Sequence, residues 1–197
     1  MLFTIGACTD TTTTLPMAPE ALSAIVSSSL VRDQYNAADP APQVTIGIGG
    51  SGDQRLAQTF TAGLSGRLAA VALPIGCDAR ARVRIDIREI DRAGGPGWPA
   101  IATTVVPGST FPPTVGIGTP FTRVTIPGNR TIVAHARYTI AVGAVGNCAV
   151  VPAPNGDTYV PGDFYFRYSG LNAWLPNRQY GISHPWDLPF ETLVEIP

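Results

Sequence analysis

The chain contains no lysine, so all of its basic side chains are arginines. A P-loop lysine, a Schiff-base lysine and a serine–lysine dyad are therefore excluded. Charge of either sign is scarce, at 14% of residues against about a quarter in an average domain. The formal net charge is -1, which leaves no electrostatic footprint for nucleic acid, and no such partner is expected. No run of about 18 apolar residues occurs, so no membrane-spanning segment is expected. Cysteines number three and histidines two, without CxxC or HxxxH spacing. Neither a metal centre nor a cofactor is expected on that basis.

Sites that need a particular motif fare no better. Gly47-Ile48-Gly49-Gly50-Ser51-Gly52 fits G-x-G-x-x-G. A dinucleotide site needs a helix after it and an acid about 20 residues on. Another strand-like run follows instead, with no acid between Asp53 and Asp78, so a turn is expected. His135 and His184 are the only bases for a serine triad. No G-x-S-x-G elbow accompanies them, although His184 sits beside Ser183 and near Asp187. Asp86 and Glu89 could form a glycosidase pair, but Arg84 and Arg88 stand beside them, and cross-strand charge pairing on a wet face is the expectation. Asp187 and Glu191 are read as structural. Asn155-Gly156-Asp157 lacks the alternating acids of a calcium loop and reads as an ordinary turn. No enzyme is expected.

What the sequence has is alternation. In Arg82–Ile90, Val83, Ile85 and Ile87 alternate with Arg84, Asp86 and Arg88. Successive strand side chains point to opposite faces. One face should be apolar and buried, the other charged and wet, as in an antiparallel sheet. Shorter strand-like runs occupy 44–48, 57–61, 67–73, 102–106, 122–126, 137–145, 164–168 and 188–196. Gly (21) and Pro (19) punctuate them, as many short strands require many turns. Together they predict an all-β, antiparallel, two-sheet sandwich, jelly-roll-like, over residues 31–197. Residues 19–30 fit either a short helix or an edge segment, and residues 1–18 read as a tail.

The start carries a possible address. Ile5-Gly6-Ala7-Cys8 resembles a bacterial lipobox, followed by a polar spacer, Thr9 to Thr14. Only seven residues precede Cys8, short of a signal peptide with its basic start. With Cys8 as lipid anchor, Cys77 and Cys148 remain as a pair. Each lies just past a strand-like run in a Gly-containing turn, so a disulfide between them is feasible if those turns share one end of the sandwich. Export to the cell envelope or beyond is the matching location.

Several stretches, in order, carry a resemblance. They are Val31-Arg32-Asp33-Gln34, Ala57-Gln58-Thr59-Phe60-Thr61-Ala62-Gly63 and Val71-Ala72-Leu73-Pro74. Arg137-Tyr138-Thr139-Ile140-Ala141-Val142 and Trp186-Asp187-Leu188-Pro189-Phe190-Glu191-Thr192 follow. Taken together they resemble the non-catalytic β-sandwich modules of secreted bacterial proteins, of galactose-binding or carbohydrate-binding jelly-roll type. The resemblance implies a binding module and brings no catalytic residues with it.

The aromatic residues supply a ligand site to match. Trp98 stands in a Gly/Pro loop, and Trp174 follows Asn172 and precedes Arg178, with Tyr168 in the same late region. A flat ring can carry a sugar's apolar face while amides and guanidiniums bond its hydroxyls. Trp174, Asn172, Arg178, Tyr168 and Trp98 are thus the expected ligand residues. Closure of the core ends by the two tryptophans is the competing reading. The expected function is glycan recognition at the cell surface or in secreted form. The alternative is a structural subunit of a filament, layer or virion. Its residues 1–18 would add to a neighbour's sheet edge, making a homo-oligomer, and low charge with a Thr- and Gly-rich surface suits such packing.

Overall fold

The computed structural model describes residues 28–39, 44–154, 156–177 and 186–196. Fourteen strands occur among them. They are β1 (Ser29–Asn36), β2 (Ile46–Gly49), β3 (Arg55–Thr61), β4 (Gly66–Leu73), β5 (Ile75–Cys77), β6 (Arg82–Ile90) and β7 (Pro96–Pro107). Then follow β8 (Thr122–Thr125), β9 (Thr131–Ile132), β10 (Arg137–Val145), β11 (Asn147–Val150), β12 (Phe164–Arg167), β13 (Leu175–Pro176) and β14 (Phe190–Ile196). The described residues contain no α-helix, and no helix long and apolar enough to cross a membrane.

Pairing is antiparallel throughout the named strands. One sheet runs β1-β14-β4-β8, with β9 also on β4; a second runs β13-β12-β3-β10-β6-β7; a small third runs β2-β11-β5. A shared core draws on all of them: Leu68 and Val71 from the first sheet, Leu56, Ile85 and Ile140 from the second, Ile48 and Ile75 from the third. Phe60 and Phe190 are fully buried and touch across the sheets, ring centroids 6.0 Å apart. Burying each such side chain contributes ~2–3 kcal/mol. The fold is the expected all-β sandwich.

The expected alternation holds where it decides the inside. Val83, Ile85 and Ile87 enter the core, as do Tyr138, Ile140 and Val142 on β10. The strand reading of 137–145 matches β10 residue for residue. Three differences stand out. The break at Gly94-Gly95-Pro96-Gly97 is only a hairpin turn, and β7 starts at Pro96 rather than Ala102. Its prolines are tolerated because β7 is an edge strand. Cys77 and Cys148, read as lying in turns, belong to the short strands β5 and β11. Finally, Ser29 and Leu30 belong to β1, which lies at a sheet edge; residues 19–27 lie outside the described residues, as does the tail 1–18 with Cys8.

Cys77 and Cys148 form the disulfide. They oppose each other directly in the β5–β11 pair, inside strands rather than in turns. Both are buried, and the link spans a sequence separation of 71. The Gly47–Gly52 run makes the expected turn: Gly49 and Gly50 have positive φ, and Gly49 exchanges backbone hydrogen bonds with Gln54.

A polar strut crosses the interior. Gln58 on β3 donates from Nε2 to Asp187 Oδ1 (3.0 Å), and its Oε1 accepts from the Leu188 N–H (2.8 Å). Asp187 Oδ2 accepts from the N–H groups of Thr158 and Tyr159, each at 2.9 Å. Burial pushes the Asp187 carboxyl above its ordinary pKa despite these donors. Its structural role, expected from sequence, is to tie the start of β14 to β3.

Candidate functional site

The outer face of the six-stranded sheet carries the site. Register aligns its side chains in rows across the strands. One row is Tyr165–Ala57–Ala141–Asp86–Thr103. The next holds Arg167 opposite Arg55 on one side and Gly143, Arg84 and Val105 on the other. Small residues, Ala57, Ala141 and Gly143, make the floor, and larger ones stand on both flanks. A Cβ added at Gly143 would sit 3.2 Å from Arg55 Cγ, so the glycine makes room for the Arg55 stem. The result is a groove with two adjoining cavities that share Arg88 and Trp174.

The larger cavity, about 600 Å³, lies between Trp98 and Trp174. These residues are distant in sequence and arrive by different devices. The β6–β7 pairing slips twice, between Ile87 and Arg88 and between Arg88 and Ile90. Such bulges bend a strand and re-aim its side chains. Trp98 falls in the slipped stretch and is 83% exposed; the Trp98–Pro99 peptide is cis. The turn before it is fixed by Asp91, whose Oδ1 accepts from the N–H groups of Ala93 and Gly95, each at 2.9 Å. Gly95 packs on the Tyr165 ring, where an added Cβ would meet Cε1 at 3.2 Å. From the other side, Trp174 enters just before β13 and packs on Ala57, Ala141 and Tyr165. Asn172 and Arg167 complete the lining used below.

Arginines hold both rings. The Arg88 guanidinium stands 5.2 Å from the Trp98 ring centroid, and that of Arg167 stands 5.3 Å from the Trp174 centroid. Both are within cation–π range. Arg88 is buried and pinned: it donates from NH2 to Asp86 Oδ2 (2.7 Å) and from NH1 to the Gly97 carbonyl (3.0 Å). Asp86 is the hub. Its Oδ1 accepts from Arg84 Nε (2.9 Å) and from Thr103 Oγ1 (2.7 Å). Burial pushes the Asp86 carboxyl up, but hydrogen bonds from Thr103, Arg84 and Arg88 outweigh it and hold the pKa below the ordinary carboxylate value.

This corrects the expectation of a wet charged face. Asp86 is 5% and Arg88 6% exposed. The charges pair along their own strand, at positions two apart, and the bonds that cross to β7 go to Thr103 and to the Gly97 carbonyl, not to an opposite charge. Alternation shows which side chains leave the core. It does not show that a bulged neighbour and a late-chain tryptophan stand around them.

Of the five expected ligand residues, Trp98, Trp174 and Asn172 line one cavity. Tyr168 does not join them. It packs against the core side, its ring 5.3 Å from Phe166, because period two puts residues 166 and 168 on the face opposite Arg167. Arg178 lies outside the described residues, as do His184 and Asn155. The sequence reading missed Arg88 and Arg167 as site residues. The signal for Arg167 was available: Phe164-Tyr165-Phe166-Arg167 alternates, and Tyr165 with Arg167 must share the outer face.

Chemically, the groove offers two aromatic plates, guanidinium donors, an amide and a floor of small side chains. Among the described residues, no group of three or more His, Cys, Asp or Glu side chains is placed to hold a metal ion. No protein-family model matches the sequence, and a search of curated proteins returns no match.

Proposed function

We propose that this protein is a non-catalytic, glycan-recognising binding module acting at the cell surface or in secreted form. The observation that carries the reading is the pairing of Trp98 and Trp174 across one cavity with Asn172, Arg88 and Arg167 on its walls. Its volume of about 600 Å³ suits a small ligand, for which pockets of about 300–1,000 Å³ are usual. An 83% exposed tryptophan gains little from the core and leaves a ring free for a sugar's apolar face. The carbohydrate-binding sandwich resemblance supports the same reading. Export is supported by the buried disulfide, since such bonds persist in oxidising compartments. A lipid anchor at Cys8 is part of the proposal.

Titration of a panel of neutral and acidic oligosaccharides into the full chain tests it. Trp98→Ala is the sharper variant, because Trp98 packs least on the fold. It should weaken the bound saccharide at least ten-fold with an unchanged thermal unfolding curve, and Trp174→Ala should do the same with a modest loss of stability. Binding that ignores both substitutions would remove the site assignment.

A further inference from the structure

The charges on this groove are unbalanced, and the imbalance has a place. Arg55, Arg82, Arg84, Arg88 and Arg167 line the two cavities, against three carboxylates, Asp53, Asp86 and Asp91. The groove thus carries two positive charges in excess on a chain whose net charge is -1. Each carboxylate is already engaged. Asp53 pairs with Arg55 (2.8 Å), Asp86 with Arg84 (2.9 Å) and Arg88 (2.7 Å), and Asp91 caps its own turn. Arg82, which is exposed, and Arg167, which is half-buried, stand outside these pairs. Among the described residues Arg167 makes no ion pair, and its guanidinium stands against the face of Trp174. Burial first, then the nearby guanidiniums of Arg55 and Arg88, lower its pKa from the ordinary arginine value, although a guanidinium stays protonated at neutral pH. A cation crowded by other cations, outside any ion pair among the described residues, with Asp53 and Asp86 acting on it only at longer range, and beside an aromatic plate, is arranged for an anion supplied from outside. The fork of a guanidinium matches a carboxylate bidentately.

We propose that the saccharide taken by this groove is acidic, a uronic-acid-containing glycan whose carboxylate pairs with Arg167 while its ring lies against Trp174 or Trp98. This rests on the glycan reading above and narrows its ligand class. The aromatic plates favour a sugar ring as the carrier of the charge, and the cationic excess favours acidic over neutral sugars.

The test is a matched-pair titration. Oligomers of galacturonate, alginate and hyaluronate are each titrated into the full chain by calorimetry beside their carboxyl-reduced forms, which keep the backbone and lose the charge. At least one acidic oligomer should bind ten-fold or more tightly than its reduced form, and its affinity should fall as sodium chloride is added. Arg167→Gln should then erase the preference, bringing the acidic form down to the level of the reduced one, roughly a ten- to hundred-fold loss for one charge-assisted pair. A reduced form that binds as tightly as its acidic partner overturns the proposal and leaves the glycan reading standing. A preference that survives Arg167→Gln overturns the assignment to Arg167. If no acidic, reduced or neutral oligosaccharide binds, the glycan reading itself falls, and this proposal with it.

Discussion

Asp86 shows how much one residue can organise. It fixes Arg84, Arg88 and Thr103, and Arg88 in turn stands over Trp98. Its folded pKa is lower than in the unfolded chain, because its donors outweigh burial. The ionised form therefore stabilises the fold fully above the unfolded pKa, and that contribution is lost as pH falls through the folded value. Denaturant titrations from neutral pH into the acid range should show stability falling in that window. Asp86→Asn should flatten that part of the curve. A profile that keeps the same slope in Asp86→Asn would show that other carboxylates govern it. The residue types here were plain in the sequence, and so was their outward face. Their burial was not, because it depends on Trp98 and Trp174, which approach from β7 and from the loop before β13.

At the scale of elements, the β6–β7 hairpin brings Arg88 and Trp98 to the groove. Its turn is set by Asp91 and by Gly94 at positive φ, and its slipped register delivers Trp98 to the groove. Gly97 allows the slip. A Cβ there would stand 2.7 Å from the Glu89 carbonyl oxygen, closer than the backbone can accept without moving. Gly97→Ala should therefore shift the 96–99 segment. The expected result is weakened saccharide binding, of the same order as for Trp98→Ala, with a loss of roughly 1–3 kcal/mol in stability. Both are read from calorimetric titration and denaturant unfolding, and a variant with wild-type affinity would show the slip to be irrelevant to the site. Sequence alone marked a Gly/Pro break at this place and stopped the strand. It could not mark the strand's resumption, since proline in a strand is acceptable only at an edge and edges are decided by the sheet.

The whole molecule is held by two sheets around a shared core and by a third, small sheet that the disulfide locks. Cys77 and Cys148 join β5 to β11 across a separation of 71 residues. Closing so long a loop should stabilise by about 4 kcal/mol in the chain-entropy model. The Cys77→Ala/Cys148→Ala double variant, or full reduction, should lower the denaturant-derived stability by an amount of that order. An unchanged unfolding free energy would place the stability of this region in the buried apolar contacts of Ile48, Ile75 and Val150 instead. The sandwich also explains why the site lies on an outer face. The inner faces of the sheets are filled by packed side chains, whereas on the outer face the small side chains of Ala141 and Gly143 leave a hollow.

Sequence by itself determined the fold class, the antiparallel alternation and the inward set on β6 and β10, because period two is written directly in residue order. It also paired Cys77 with Cys148 and brought forward Trp98, Trp174 and Asn172 by chemical type. Tertiary structure decided the rest: which aromatic residues meet, that Tyr168 turns to the core, and that Asp86 and Arg88 are covered. It alone left Arg167 outside the ion pairs formed among the described residues. The physical reason is range. A strand's facing is local and follows from the backbone, whereas a cavity exists only where bulges, small floor residues and chain-distant side chains are brought together by packing.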